Sequence, residues 1–135
     1  MAIRSDKNQE KHDSLVGKIA KLRFNYHDSK ITYINHPEKT MGVKVTENDV
    51  IYPDILVVLD GKVSVSGEIE TEESVDEEEA SQWAKYSEYA GPLYLYVPKG
   101  YALKADMLAS GANIPLAGIR KYSTDFYGNL VIENY

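Results

Sequence analysis

Apolar residues recur along the chain with two different periods, and the changes between them mark its elements. Over residues 8–26, Leu15, Ile19, Leu22 and Tyr26 are spaced by four, three and four, the single stripe of an amphipathic helix. Residues 31–35 (ITYIN) and 42–46 (GVKVT) are short, rich in β-branched residues and separated by His36-Pro37, so they predict strands. Residues 50–59 (VIYPDILVVL) form an apolar strand interrupted by Pro53, which marks an edge, a bulge or the start of the regular part because proline has no N–H to give to a ladder. Asp60-Gly61 signals a hairpin turn. Residues 62–70 then alternate, with Val63, Val65 and Ile69 on one face and Ser64, Ser66, Glu68 and Glu70 on the other.

A second helix is predicted at about 75–90, where Ser74 and Glu77 have the spacing of a capping box. Asp76, Glu77, Glu78 and Glu79 fall in its first turn, where carboxylates favour the positive end of the helix dipole. Ala80, Trp83, Ala84 and Ser87 make its expected inward stripe, and Gly91-Pro92 stops it. A buried strand at 93–97 (LYLYV), a short helix at 101–110, a strand at 116–123 and a hairpin around Gly128-Asn129 complete the chain. A meander feeding into strand–helix–strand crossovers predicts one α/β domain over residues 1–135, with a mixed central sheet flanked by helices.

At 135 residues there is room for one real core. With 43 % hydrophobic and 27 % charged residues the composition is that of an ordinary globular protein. No apolar run is long enough for a membrane span, and the N-terminal MAIRSDKNQEKHDS has no apolar stretch behind its charges, unlike a secretory signal. The absence of cysteine removes disulfides and thiolate metal sites and fits a reducing, cytoplasmic setting. The net charge of −6 argues against a protein that coats nucleic acid non-specifically. Its distribution says more. Residues 1–30 carry seven Lys/Arg against four Asp/Glu, residues 31–98 four against fourteen, and residues 99–135 four against three. An acidic centre between basic flanks suits metal ions held beside a phosphate backbone, although charge alone favours a solvated acidic helix.

Within that acidic centre, Asp54 sits inside an otherwise apolar strand, where an unpaired carboxylate costs several kcal/mol. Glu68 and Glu70, two apart, share one strand face. Asp54 and Glu68 lie six and seven positions from the Asp60-Gly61 turn, so the hairpin places residues around Asp54 opposite residues around Glu68. Three carboxylates thus converge, and hard oxygen donors of this kind suit Mg²⁺ or Mn²⁺. An ion held this way activates water and stabilises charge developing on a phosphate.

Pro53-Asp54, a hairpin, then Glu68-Ile69-Glu70 resembles the PD-(D/E)XK nuclease superfamily of restriction endonucleases, junction resolvases and repair nucleases, with the element order matching over roughly residues 8–98. The resemblance implies a restriction endonuclease-like fold with Asp54 and Glu68 as metal ligands. It implies a polar residue on the following helix, Gln82 or Lys85, reaching back to the site. The family's lysine two places after the second acid is Glu70 here, as in some restriction enzymes; the transition-state charge would then be met by a second metal or by Lys85. Glu10, the one glutamate of the first helix, projects away from its apolar stripe. The function implied is a Mg²⁺-dependent endonuclease acting on nucleic acid, DNA before RNA, with Asp54, Glu68 and Glu70 on metal and Asp54, Glu68, Glu70 and Lys85 as the catalytic set. An enzyme so small is expected to work as a dimer or in a larger complex. The alternative is a non-catalytic relative that keeps the fold for binding or assembly, and a hydrolase of another phosphoester fits three carboxylates as well. His12, His27 and His36 have no metal-ligand spacing and read as surface or satisfied core residues. Trp83 reads as a core anchor, and Tyr94 and Tyr96 as alternating residues of a sheet surface.

Overall fold

A computed structural model describes residues 6–135. Helix α1 (Asp6–Arg23) leads into β1 (Ile31–Ile34), the short strands β2 (Val43–Thr46) and β3 (Asp49–Ile51), then β4 (Ile55–Leu59) and β5 (Lys62–Ile69). After these come α2 (Glu77–Tyr89), β6 (Leu93–Pro98), α3 (Ala102–Gly111), β7 (Gly118–Thr124) and β8 (Leu130–Asn134). Six strands make one mixed sheet in the order β1-β4-β5-β6-β7-β8, and β2 pairs β3 in a separate two-stranded sheet. The inner pairs β5–β6 and β6–β7 are parallel; the outer pairs are antiparallel. This is the α/β class with a mixed sheet and three flanking helices.

Alternation along the strands separates two cores. Ile55, Val57, Ile69, Tyr96 and Tyr122 meet Leu15, Val16, Ile19 and Ala20 of α1 on one face. On the other, Leu93, Leu95 and Val97 meet Ala80 and Trp83 of α2 and Ala102, Ala105 and Ala109 of α3. The β2–β3 hairpin covers Leu56 on that second face.

Local chemistry explains where elements begin and end. The Asp60-Gly61 turn has positive φ at both residues, 51° and 75°, the conformation that a tight two-residue hairpin needs. The apolar run 50–59 is not one strand. It breaks at Pro53, and its first part pairs with β2 while its second enters the main sheet. The stripe of α1 also differs from expectation. The helix ends at Arg23, so Leu22 and Tyr26 are exposed, and the buried side is His12, Leu15, Val16, Ile19 and Ala20. In α2 the cap is Asp76, whose Oδ1 accepts from the Glu79 amide at 2.9 Å. Ser74 instead turns the chain, accepting from the Thr71 amide at 3.0 Å. The inward side of α2 is Glu79, Ala80 and Trp83, and Ala84 is exposed.

Candidate functional site

Asp54 ends the irregular stretch after Pro53, one residue before β4, and Glu68 lies near the end of the neighbouring strand β5. The register sets Ile55 against Gly67, so Asp54 and Glu68 face each other across the ladder. Two hydrogen bonds lock them: the Asp54 amide donates to Glu68 Oε1 at 2.8 Å, and the Ile69 amide donates to Asp54 Oδ2 at 2.8 Å. Both carboxylates are 4 % exposed.

Two histidines hold the Asp54 carboxylate. His12 Nε2 lies 3.1 Å from Oδ2 and His36 Nε2 lies 2.6 Å from Oδ1. The other ring nitrogens, both Nδ1, lie 3.4 and 3.2 Å from Asp13 Oδ1, and the Gln9 amide also donates to that oxygen at 2.8 Å. The imidazoles therefore bridge an inner and an outer carboxylate. Burial pushes the Asp54 carboxyl up, but the hydrogen bonds and positive charge of His12 and His36 outweigh it and hold the group well below the ordinary carboxylate range. Glu68 goes the other way: burial and the charges of Asp54 and Glu70 raise it well above the usual value, against the lowering effect of the Asp54 amide.

Glu70 shares the face of Glu68, as the strand period requires, but lies deeper. It is fully buried; Trp83 Nε1 donates to Oε2 at 2.9 Å, Ser74 Oγ donates to Oε1 at 3.2 Å, and the Tyr122 hydroxyl donates to its carbonyl at 2.6 Å. Glu79 of α2, 2 % exposed, joins this group. Glu68, Glu70 and Glu79 each offer an oxygen within 4.8 Å of the others, and His12, His36 and Asp54 form a second set within the same limit. Buried carboxylates so close repel unless a cation or protons neutralise them, and an all-oxygen set fits a hard divalent ion. The donor chemistry therefore fits a metal, its identity left open by the mixed nitrogen and oxygen ligands of the second set.

The two sets open into a cleft of about 360 Å³ lined by Asp54, Glu68, Glu79, His36, Gln82, Lys85 and Tyr86, with Lys39 and Tyr52 on its rim. Lys85 lines the cleft, yet its ammonium is paired to Asp49 of β3 rather than to a candidate ligand. The Tyr86 phenol is pushed far up by burial and by the surrounding carboxylates, so it stays a donor. A larger and mostly apolar groove of about 480 Å³ between α2 and α3 has none of these groups.

The structure thus brings Asp54, Glu68 and Glu70 into one neighbourhood but divides them between two ligand sets. Glu79 escaped the sequence reading because the helix dipole already accounts for a first-turn acid; its position four before Trp83, on the same helical face, was the available signal. His12 and His36 carried no signal, since spacing along the chain does not register a contact between a helix and a loop. Comparison with protein-family models, with curated proteins and with solved structures finds no match to this chain.

Proposed function

We propose that the protein is a divalent-metal-dependent phosphodiesterase acting on nucleic acid, DNA before RNA. The observation that carries this reading is the reciprocal locking of Asp54, just before β4, with Glu68 of β5 at the floor of a cleft that also holds Gln82 and Lys85. The order of helix, meander, helix and returning strand supports it, as does the position of Asp54 just before β4 and of Glu68 near the end of β5. Glu68, Glu70 and Glu79 would hold Mg²⁺ or Mn²⁺, with Asp54, His12 and His36 forming the second ligand set beside them. The bound ion supplies an activated water and charge for the phosphate. Lys85, freed from Asp49, meets the negative charge that develops in the cleft, and Tyr86 and Gln82 orient the substrate by hydrogen bonds.

A second reading, a non-catalytic binding module, has its own observation. Asp54 is fully occupied by two imidazoles and an amide, and Lys85 by Asp49. One experiment separates the two. Plasmid, linear and branched DNA, and RNA, are incubated with the protein and Mg²⁺ or Mn²⁺, beside Asp54→Asn. Cleavage that requires the metal and disappears in the variant supports the enzyme. Cleavage that survives in Asp54→Asn sinks the site, and no cleavage together with no calorimetric metal binding establishes the module.

A further inference from the structure

On the opposite face of the sheet from Glu68, a pocket of about 200 Å³ opens between the end of α1 and the first halves of β6 and β7, lined by Arg23, Phe24, Tyr26, Tyr94, Tyr96 and Arg120. The chain has three arginines, and the two among the described residues both stand here. Neither is paired with a carboxylate of the described residues, in a protein with 21 acidic residues against 15 basic ones. Arg23 donates to the Ile132 carbonyl at 2.9 Å and Arg120 to the Ile119 carbonyl at 3.3 Å. Each guanidinium therefore keeps most of its five N–H donors uncommitted.

The pocket is shaped to keep Arg120 in place. Its guanidinium lies 5.0 Å from the centre of the Tyr94 ring, a cation–π contact. A Cβ on Gly118 would come within 2.7 Å of Arg120 Nη1 and 3.1 Å of the Tyr94 ring, so the glycine leaves the guanidinium room to lie where it does. Tyr96 adds an independent observation. The residue is 4 % exposed, it lines the pocket, and its hydroxyl has no hydrogen-bond partner among the described residues. Because that hydroxyl is open to the pocket, a group entering it can accept a hydrogen bond there. Burial lifts the phenol to about 12 despite the two arginines, so it remains a donor at neutral pH.

We propose that this pocket binds a phosphoryl group, clamped by the guanidinium groups of Arg23 and Arg120 and accepting a hydrogen bond from the Tyr96 hydroxyl. Guanidinium groups recognise phosphate through paired N–H donors. The volume is below that of a typical small-molecule site, so it suits the phosphoryl end of a ligand with the flanking Tyr94 and Tyr26 rings against what the phosphate carries. The site is separate from the carboxylate cleft and does not rest on the nuclease reading.

Titration calorimetry with inorganic phosphate, adenosine monophosphate and an oligonucleotide lacking terminal phosphates tests this on the full chain. The parent binds at least one of them. Arg23→Gln and Arg120→Gln each weaken that binding about tenfold, the equivalent of losing a charge-assisted hydrogen bond. Tyr96→Phe, which preserves the fold, weakens it by a smaller factor, Arg120→Lys retains part of it, and Asp54→Asn leaves it unchanged. Tightest binding of the monophosphate identifies a phosphate monoester, and tightest binding of the oligonucleotide a phosphodiester backbone; both support the pocket. No binding of any of the three, or binding unaltered in Arg120→Lys and Tyr96→Phe, overturns it. Loss of binding in Asp54→Asn also overturns it, because the phosphate would then sit at the carboxylates. Because the arginine variants read phosphate binding and Asp54→Asn reads cleavage, either proposal can fail alone.

Discussion

His12 and Asp54 stand 42 residues apart in the chain and 3.1 Å apart between Nε2 and Oδ2. The contact joins α1 to the strand hairpin at a buried carboxylate. Removing the imidazole leaves a buried carboxylate short of a partner, an effect of about 3 kcal/mol or more. Urea denaturation of His12→Ala is expected to show that loss, and His12→Gln, which restores a donor, to recover part of it. A His12→Ala protein as stable as the parent would show that the contact carries no energy.

The acid limb of stability reports the same contact. The Asp54 carboxyl is depressed in the folded protein, so its contribution is present above the ordinary value of 3.8 and is lost as the pH falls through the lower folded value. Asp54→Asn has no such group. Its stability should fall less than the parent's as the pH is taken below that ordinary value, measured by denaturant midpoints along a pH series.

Glu68 has the opposite sign. Its folded value is raised, so the metal-free fold binds a proton that the unfolded chain has released. Stability without metal should therefore decline as the pH rises from 4.5, the ordinary value, through the folded one. A divalent ion should reverse the decline by replacing the proton, with proton release visible as a buffer-dependent heat in calorimetry. Glu68→Gln should remove both the decline and the reversal. A metal-free stability that rises across this range in the parent alone would show that Glu68 is not held protonated.

Much of this arrangement is legible in the chain. The Asp60-Gly61 turn marks the β4–β5 hairpin with no tertiary information, but a regular two-residue hairpin would set Asp54 opposite Gly67; an irregularity between Val57 and Val58 adds one residue on β5 and brings Glu68 there instead. Gly128-Asn129 likewise marks the β7–β8 hairpin, although the loop there runs over five residues from Asp125 to Asn129. What could not be read depends on packing between distant segments. Pro53 divides an apolar run between two sheets, and its carbonyl accepts at 2.6 Å from Asn35 Nδ2, a partner 18 residues away. Glu70 looks in sequence like a surface strand-end acid or a ligand. Its burial follows from Trp83 and Ser74, which reach it only once α2 has folded back.

Trp83, the single tryptophan, is fully buried with its indole N–H on Glu70. It is a built-in reporter of the deeper carboxylates. Mn²⁺, which quenches fluorescence at short range, should quench Trp83 emission when it binds, and Mg²⁺ should compete the effect away. Trp83→Phe leaves Glu70 without that donor and should cost about 1–3 kcal/mol. Metal binding that leaves Trp83 emission untouched would place the ion at His12, His36 and Asp54 instead.

Lys85 decides how the cleft meets a substrate. It lines the cleft from α2, and its ammonium is tied to Asp49, each side chain about two-fifths exposed. A pair this open to solvent contributes little, on the order of 1 kcal/mol or less, so an entering phosphate can draw the ammonium away from Asp49 at small cost. Lys85→Met should then leave folding and calorimetric metal affinity unchanged and lower the rate of phosphodiester cleavage. Asp49→Asn, which releases the ammonium in advance, should tighten substrate binding or raise the rate, because the competing carboxylate is gone. The opposite pattern, with Lys85→Met neutral and Asp49→Asn unfolding the β2–β3 hairpin, would make Lys85 a strut between α2 and that hairpin. The charge in the cleft would then have to be met by metal alone.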